Sequence, residues 1–321
     1  MAKIQDVARA ANVSVSTVSR AFREDSSISP ETRRMILAAA NEMGYYPNLL
    51  ARGLKSNKSK VVGIVGSIET PFYVDIIKAI ESELQKYGYQ VLLGTSVHCQ
   101  ERERHYLELM ASSWVSGIIM TPFLEEPNSY IDQIHKRGIP VVQLFRRPYD
   151  FLDSVVIDDE NGAYLAVNDL LNKGHTRILL FDIPVSHAYQ RSDGYRKAFR
   201  EKGLPVDENL IVITANERIP QTIEELKPTA VVTSVYEQGR LVYQYIKEKR
   251  LHIPEDLSVI MFDNVEWMEI LDINTIAQPI DYIGVSASRL LMDRMEEKKN
   301  DPISLVLQPR YMVRSSVKDI K

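Results

Sequence analysis

The sequence predicts an α/β protein: a small helical head, residues 1–46, then a short connecting segment, 47–60, then a body of two doubly wound parallel-sheet subdomains. Three observations carry that reading. The first 60 residues hold ten Lys and Arg against five Asp and Glu, a net +5, while the whole chain is −4, which leaves −9 for the rest. Within the head, apolar residues recur at helical spacing between Ser and Asn punctuation. From Val61 onward, short apolar runs alternate with amphipathic segments, the rhythm of parallel strands covered by helices.

At 321 residues and 45% hydrophobic content the chain is long and apolar enough for more than one core. Cys99 is the only cysteine, which excludes an internal disulfide and a cysteine-built zinc site and fits a reducing compartment. The start, Met1 to Asp6, has no apolar signal region, and no later stretch approaches the ~18 apolar residues of a membrane span. A cytoplasmic location without a membrane partner is therefore expected.

In the head, Gln5 to Ala11 reads as a helix with Val7, Ala8 and Ala11 turned inward, broken at Asn12-Val13-Ser14, where Asn suits a left-handed cap. Ser14 is a good N-cap for a second helix, Val15 to Phe22, whose Val18 and Phe22 share one face and leave Val15, Ser16, Ser19 and Arg20 elsewhere. Ser29 as N-cap, Pro30 at the first position and Glu31 in the first turn open a third helix that carries Ile36, Leu37, Ala40 and Met43 to a stop at Gly44. Two short helices about a tight turn make a helix-turn-helix, and with a basic charge they point to a polyanion.

Body strands are expected at 61–68, 91–94, 117–121 and 141–144, with helices at 72–87, 101–110 and 129–136 between them. Val155-Val156-Ile157-Asp158-Asp159 then precedes a second series, with helices 162–172, 188–202 and 237–249 and strands 178–181, 210–213, 230–233 and 258–262. A long helix, Tyr282 to Glu297, and extended segments at 303–307 and 311–313 close the chain. Phosphate loops, dinucleotide turns, zinc-protease helices and serine elbows are absent from the sequence, and His98 and His105 are too scattered to suggest a metal site. No catalytic residue and no cofactor is expected.

Asp6-Val7-Ala8, Val13-Ser14, Thr17-Val18-Ser19-Arg20 and the string Tyr46-Pro47-Asn48-Leu49-Leu50-Ala51-Arg52-Gly53-Leu54-Lys55-Ser56 resemble the head and hinge of the lactose-repressor/galactose-repressor (LacI/GalR) family. The resemblance runs to the C-terminus. It implies a body of periplasmic-binding-protein type, with a first subdomain of 61–157 and 280–300 and a second of 158–279 and 301–321. It also implies a palindromic double-stranded operator read by a homodimer, with bodies paired through the 72–87 helix and the segment around Asp281 to Arg289; Ser315 to Lys321 carry no leucine heptads of the family's tetramerising extension, so a dimer is expected.

By that resemblance Val15, Ser16, Thr17, Ser19 and Arg20 face DNA in the major groove, and Asn48, Ala51, Arg52 and Leu54 belong to a hinge helix whose Leu54 wedges into the minor groove. The chemistry suits those roles. Arg20 can donate a bidentate pair to guanine, with phosphate contact as its alternative, Val15 can touch a thymine methyl, and an apolar wedge kinks an easily unstacked step. In the body, Phe72 and Tyr73 resemble the family's aromatic cleft rim, Arg191 its ligand-clamping arginine and Asp263 its acidic ligand contact. Hydrophobic packing, a surface ion pair and a turn role are the respective alternatives. Arg191 with Asp263 suggests a sugar or sugar phosphate as effector, a purine standing second. The sequence departs from the family at Ser234-Val235-Tyr236-Glu237, where an Asn-Asp pair is usual.

Overall fold

A computed structural model describes residues 2–22, 28–45, 59–97, 99–113, 115–123, 129–183, 190–213, 218–296 and 301–321. Contacts divide the chain into two units, Met1–Lys60 and Val61–Lys321.

The head contains α1 (Ile4–Ala10), α2 (Val15–Ala21) and α3 (Pro30–Glu42). Asn12 takes φ +52, the left-handed conformation its short polar side chain tolerates, and this reverses the chain between α1 and α2. The Ser14 hydroxyl accepts the Thr17 N–H at 3.1 Å and Ser29 accepts the Thr32 N–H at 3.2 Å, so both expected N-caps form. Val7, Ala8, Val18, Ala21, Ile36 and Ala40 close a small core, and Arg33 Nε donates to the last carbonyl of α2, that of Ala21, at 3.0 Å. Leu37 and Met43 differ from expectation, both being more than a third exposed. A helix this narrow buries only the Ile36 and Ala40 face, and each of the other two projects from a different side.

In the body one six-stranded sheet runs β11-β5-β4-β3-β1-β2 and a second runs β12-β10-β9-β8-β6-β7. The first consists of β1 (Val61–Gly66), β2 (Gln90–Thr95), β3 (Gly117–Met120), β4 (Val141–Leu144), β5 (Asp153–Ile157) and β11 (Ser304–Leu307). The second consists of β6 (Ile178–Asp182), β7 (Ile211–Ile213), β8 (Ala230–Thr233), β9 (Ser258–Phe262), β10 (Asn274–Ala277) and β12 (Arg310–Met312). Every pairing is parallel except β10 with β12. Helices α4 (Pro71–Gln85), α5 (Gln100–Ser112), α6 (Ser129–Lys136) and α12 (Ile280–Met295) belong to the first sheet. Helices α7 (Asp159–Asn172), α8 (Arg191–Glu201), α9 (Ile219–Leu226), α10 (Tyr236–Lys249) and α11 (Glu266–Ile270) belong to the second.

The expected subdomain boundaries need one correction. Residues 301–307 belong with the first sheet, because β11 pairs in parallel with β5 from Ser304 opposite Ser154 to Leu307 opposite Ile157. The alternating half-exposure of β11 is that of an edge strand, added beside β5 once α12 has crossed back. The chain changes sheet between Leu307 and Arg310, so the expected second-subdomain strand is β12 alone. Strand β10 and helices α9 and α11 were not anticipated: each is short, and Asn274-Thr275 is a polar opening for a strand whose first three residues prove buried.

Two glycines let helices touch. A Cβ at Gly194 in α8 would stand 2.0 Å from the Glu160 carbonyl oxygen of α7, and one at Gly284 in α12 would stand 2.5 Å from Ala79 Cβ in α4. The first of these contacts draws the N-terminal ends of α7 and α8 together at the carboxyl ends of the second sheet's strands, where ligands bind in open α/β folds.

Candidate functional site

On the head, Val15, Ser16 and Arg20 of α2 are exposed and Thr17 and Ser19 half-exposed, while Val18 and Ala21 on the opposite face are sealed in the core. Ser14 ties the first turn together through hydroxyl contacts to Ser16 at 2.7 Å and Thr17 at 2.8 Å. The helix thus offers one cation, two hydroxyls within its first turn and one branched apolar group, chemistry matched to base edges and phosphates. Asn48, Ala51, Arg52 and Leu54 lie outside the described residues.

In the body the expected effector residues fall on two walls. On the first, Phe72 is buried at the start of α4 and Tyr73 half-buried beside it. Both meet Phe145, just past β4, with ring centroids 5.5 and 5.9 Å apart. Phe145, unanticipated from sequence, completes an aromatic triad, and its φ of +64 turns the chain sharply after the strand. The next residue, Arg146, is buried and donates to the Pro122 and Phe123 carbonyls at 2.9 and 2.8 Å. Glu103 accepts the Phe123 N–H at 2.7 Å, and burial pushes its carboxyl up to about 7 against the pull of that hydrogen bond and of Arg146.

The second wall is built at strand ends. Arg191 is 1% exposed. Its Nε and Nη2 both donate to Asp159 Oδ1, at 3.1 and 3.0 Å, Nη1 donates to the Ser234 carbonyl, and the guanidinium lies 4.1 Å over the Phe262 ring. Burial raises the Asp159 carboxyl in spite of this partner. Asp263, directly after β9, is also buried and takes φ +67; Gln278 Nε2 donates to its Oδ1 at 2.7 Å. Burial pushes Asp263 up to about 6, opposed first by the charge of Arg191 and then by the Gln278 bond. Asp182, at the end of β6 and 1% exposed, accepts from the Ser192 and Ser234 hydroxyls. Gln238 bonds the Ser234 N–H at 2.9 Å and the Asp182 carbonyl at 3.2 Å.

A cavity of about 480 Å³ opens beside the crossing segments, lined from both sheets by Phe145, Arg147, Asp158, Glu160, Gln190 and Val306 among others. None of the four expected effector residues lines it directly. Phe72 and Tyr73 stand behind Phe145, while Arg191 follows Gln190. Its volume suits a small organic ligand. Asp159, Asp182, Ser234 and Gln278 were missed from sequence, although each stands at or just beyond a strand's end or a crossing, the position that could have marked it. Among the described residues no group of His, Cys, Asp and Glu is arranged to hold a metal ion, and no helix is long and apolar enough to cross a membrane.

A helix-turn-helix with an exposed polar second helix, followed by two parallel sheets whose strand ends carry buried polar walls, defines a DNA-binding regulator with a ligand-binding body. Residues 3–48 match the family described as bacterial regulatory proteins, lacI family, and residues 167–317 the periplasmic binding protein-like domain. The chain is 32% identical to the HTH-type transcriptional regulator DegA of Bacillus subtilis, covering 98% of this chain and 97% of that one. It is 34% identical to the HTH-type transcriptional repressor PurR of Escherichia fergusonii, covering 99% and 98%. Among solved structures, a LacI family transcriptional regulator from Enterococcus faecium with bound ribose is 27% identical, with TM-score 0.71 over 81% of this chain and 100% of that one. The Lac repressor dimer bound to operator and an anti-inducer shares the fold, at 22% identity and TM-score 0.79 over 99% of each chain. The chain belongs to the LacI family of bacterial regulatory proteins and is a DNA-binding transcription regulator with an effector-binding body, not an enzyme.

Proposed function

We propose that this protein is a cytoplasmic repressor that binds a palindromic operator as a homodimer, and that a sugar or sugar phosphate in the cleft between its subdomains sets operator affinity. The observation that carries the DNA half is the exposure of Val15, Ser16 and Arg20 along a helix whose other face is the head's core. Arg20 reads a guanine or grips a phosphate, and the family's hinge pattern at Asn48, Ala51, Arg52 and Leu54 adds a minor-groove wedge. Bodies pair through the outer faces of α4 and α12, where Tyr282 is 65% exposed. The effector half rests on the two polar and aromatic walls, and the ribose bound by the Enterococcus relative supports a sugar.

A purine effector is the second reading, favoured by the end-to-end similarity to PurR. Either ligand changes DNA affinity only as far as it prefers one closure of the cleft, which in turn alters the spacing of two hinge helices that must meet in one minor groove. Selection of DNA from a random pool, followed by gel shift at fixed salt, tests the assignment. A symmetric sequence should emerge, and Arg20→Ala should weaken it at least tenfold; no enriched symmetry, or an unaffected variant, rejects the head's role.

A further inference from the structure

The second wall is rich in carboxylates, and its one described cation is already engaged. Arg191 spends three of its donor positions on Asp159 and the Ser234 carbonyl, and its flat face covers Phe262. Side-chain exposure is 2% for Arg191 and 5% for Asp159, so the pair neutralises itself within the wall rather than at its surface. Gly194 enforces this: its missing side chain lets the backbone of α8 press on the Glu160 carbonyl, which sets Arg191 three residues earlier against Asp159 next to Glu160.

The remaining buried carboxylates of the wall, Asp182 and Asp263, accept hydrogen bonds from Ser192, Ser234 and Gln278, and no cation bonds either of them among the contacts described. On the opposite wall Arg146 donates to two carbonyls and stands beside Glu103, and Arg147, which reaches Ser304 at 3.3 Å, lines the cavity together with the carboxylates Asp158 and Glu160. A phosphate brought against the second wall would meet carboxylates in a medium that screens poorly, whereas hydroxyl donors would meet acceptors.

We propose that Asp159 sets the charge class of the effector. By holding Arg191 it withdraws the cation that an anionic ligand would need, so the cleft takes an uncharged polyhydroxylated molecule and rejects its phosphate ester. This rests on the cleft being the effector site, and it narrows that reading.

The test uses the full chain and matched probes: ribose with ribose 5-phosphate, glucose with glucose 6-phosphate, and inosine with inosine 5′-phosphate, each measured by calorimetry. At least one uncharged member should bind, with its phosphate ester at least tenfold weaker. In Asp159→Asn the freed guanidinium should shrink or reverse that ratio by tenfold or more. Asp159→Ser serves equally should the first variant fold poorly, and the wild-type ratio stands without either. A phosphate ester that binds the wild-type protein as tightly as its parent overturns the role of Asp159 and leaves the cleft assignment intact. An unchanged ratio in the variants does the same. Failure of every probe to bind rejects the cleft reading itself, and the proposal with it.

Discussion

Asp263 shows how one buried carboxyl ties stability to pH. Its carboxyl is raised by burial from an ordinary 3.8 to about 6, so between those values the folded protein binds more protons than the unfolded chain. Stability therefore falls as pH rises through that window and stays reduced above it. A rise from 3.8 to about 6 corresponds to about 3 kcal/mol. Asp263→Asn, which keeps an acceptor for Gln278, should be more stable than the wild-type protein at pH 7 by up to that amount and no different below pH 4, as measured by denaturant titration. In the proposed site an effector hydroxyl donates to the Asp263 carboxylate, so affinity should fall as pH drops below about 6. Calorimetry showing flat affinity from pH 5 to 7 would remove Asp263 from the contact.

Helix packing, rather than helix propensity, positions the second wall. Glycine is a poor helix former, yet Gly194 occupies the first turn of α8 because α7 passes too close for any side chain. Gly194→Ala puts a methyl into a backbone carbonyl that cannot swing aside, and should destabilise the body by about 3 kcal/mol. The informative part is the accompanying loss: separating α7 from α8 also parts Asp159 from Arg191, so effector binding should weaken more than global stability explains. Equal stability in wild type and variant, by urea unfolding, would mean that the helices separate without cost. Strand β11 makes a related point, since an edge strand joins whichever sheet has a free flank, and the flank available to it is that of β5.

For the whole molecule, the proposed signalling requires that cleft closure and operator binding be linked. In our proposal that link is the sequence at residues 48–56, which resembles the family's hinge and lies outside the described residues. Hydrogen exchange should show protection of 48–56 appearing with operator and fading when the effector opposes closure, and Leu54→Ala should weaken operator binding at least tenfold. Protection that is equal with and without operator would uncouple the two ends of the molecule. Sedimentation should report a dimer at micromolar protein, and a stable DNA-free tetramer would contradict the proposed assembly.

Much of this was legible in the chain. The head follows from local chemistry, since Ser14, Ser29, Pro30, Asn12 and Gly44 act on backbone within a few residues, and both N-caps form where the sequence places them. Alternating apolar and amphipathic segments determined the two parallel sheets, because burial on both faces leaves a continuous apolar run that survives any detail of packing. Phe72, Tyr73, Arg191 and Asp263 could be proposed from a family pattern. Their surroundings could not. That Phe145 joins the aromatic pair, that Arg191 is claimed by Asp159 and the Ser234 carbonyl, and that β11 sides with the first sheet all depend on residues 32 to 150 positions apart meeting in space. Such meetings are decided by which helices can approach and which sheet edge is free, and these are properties of the packed molecule that no window of sequence contains.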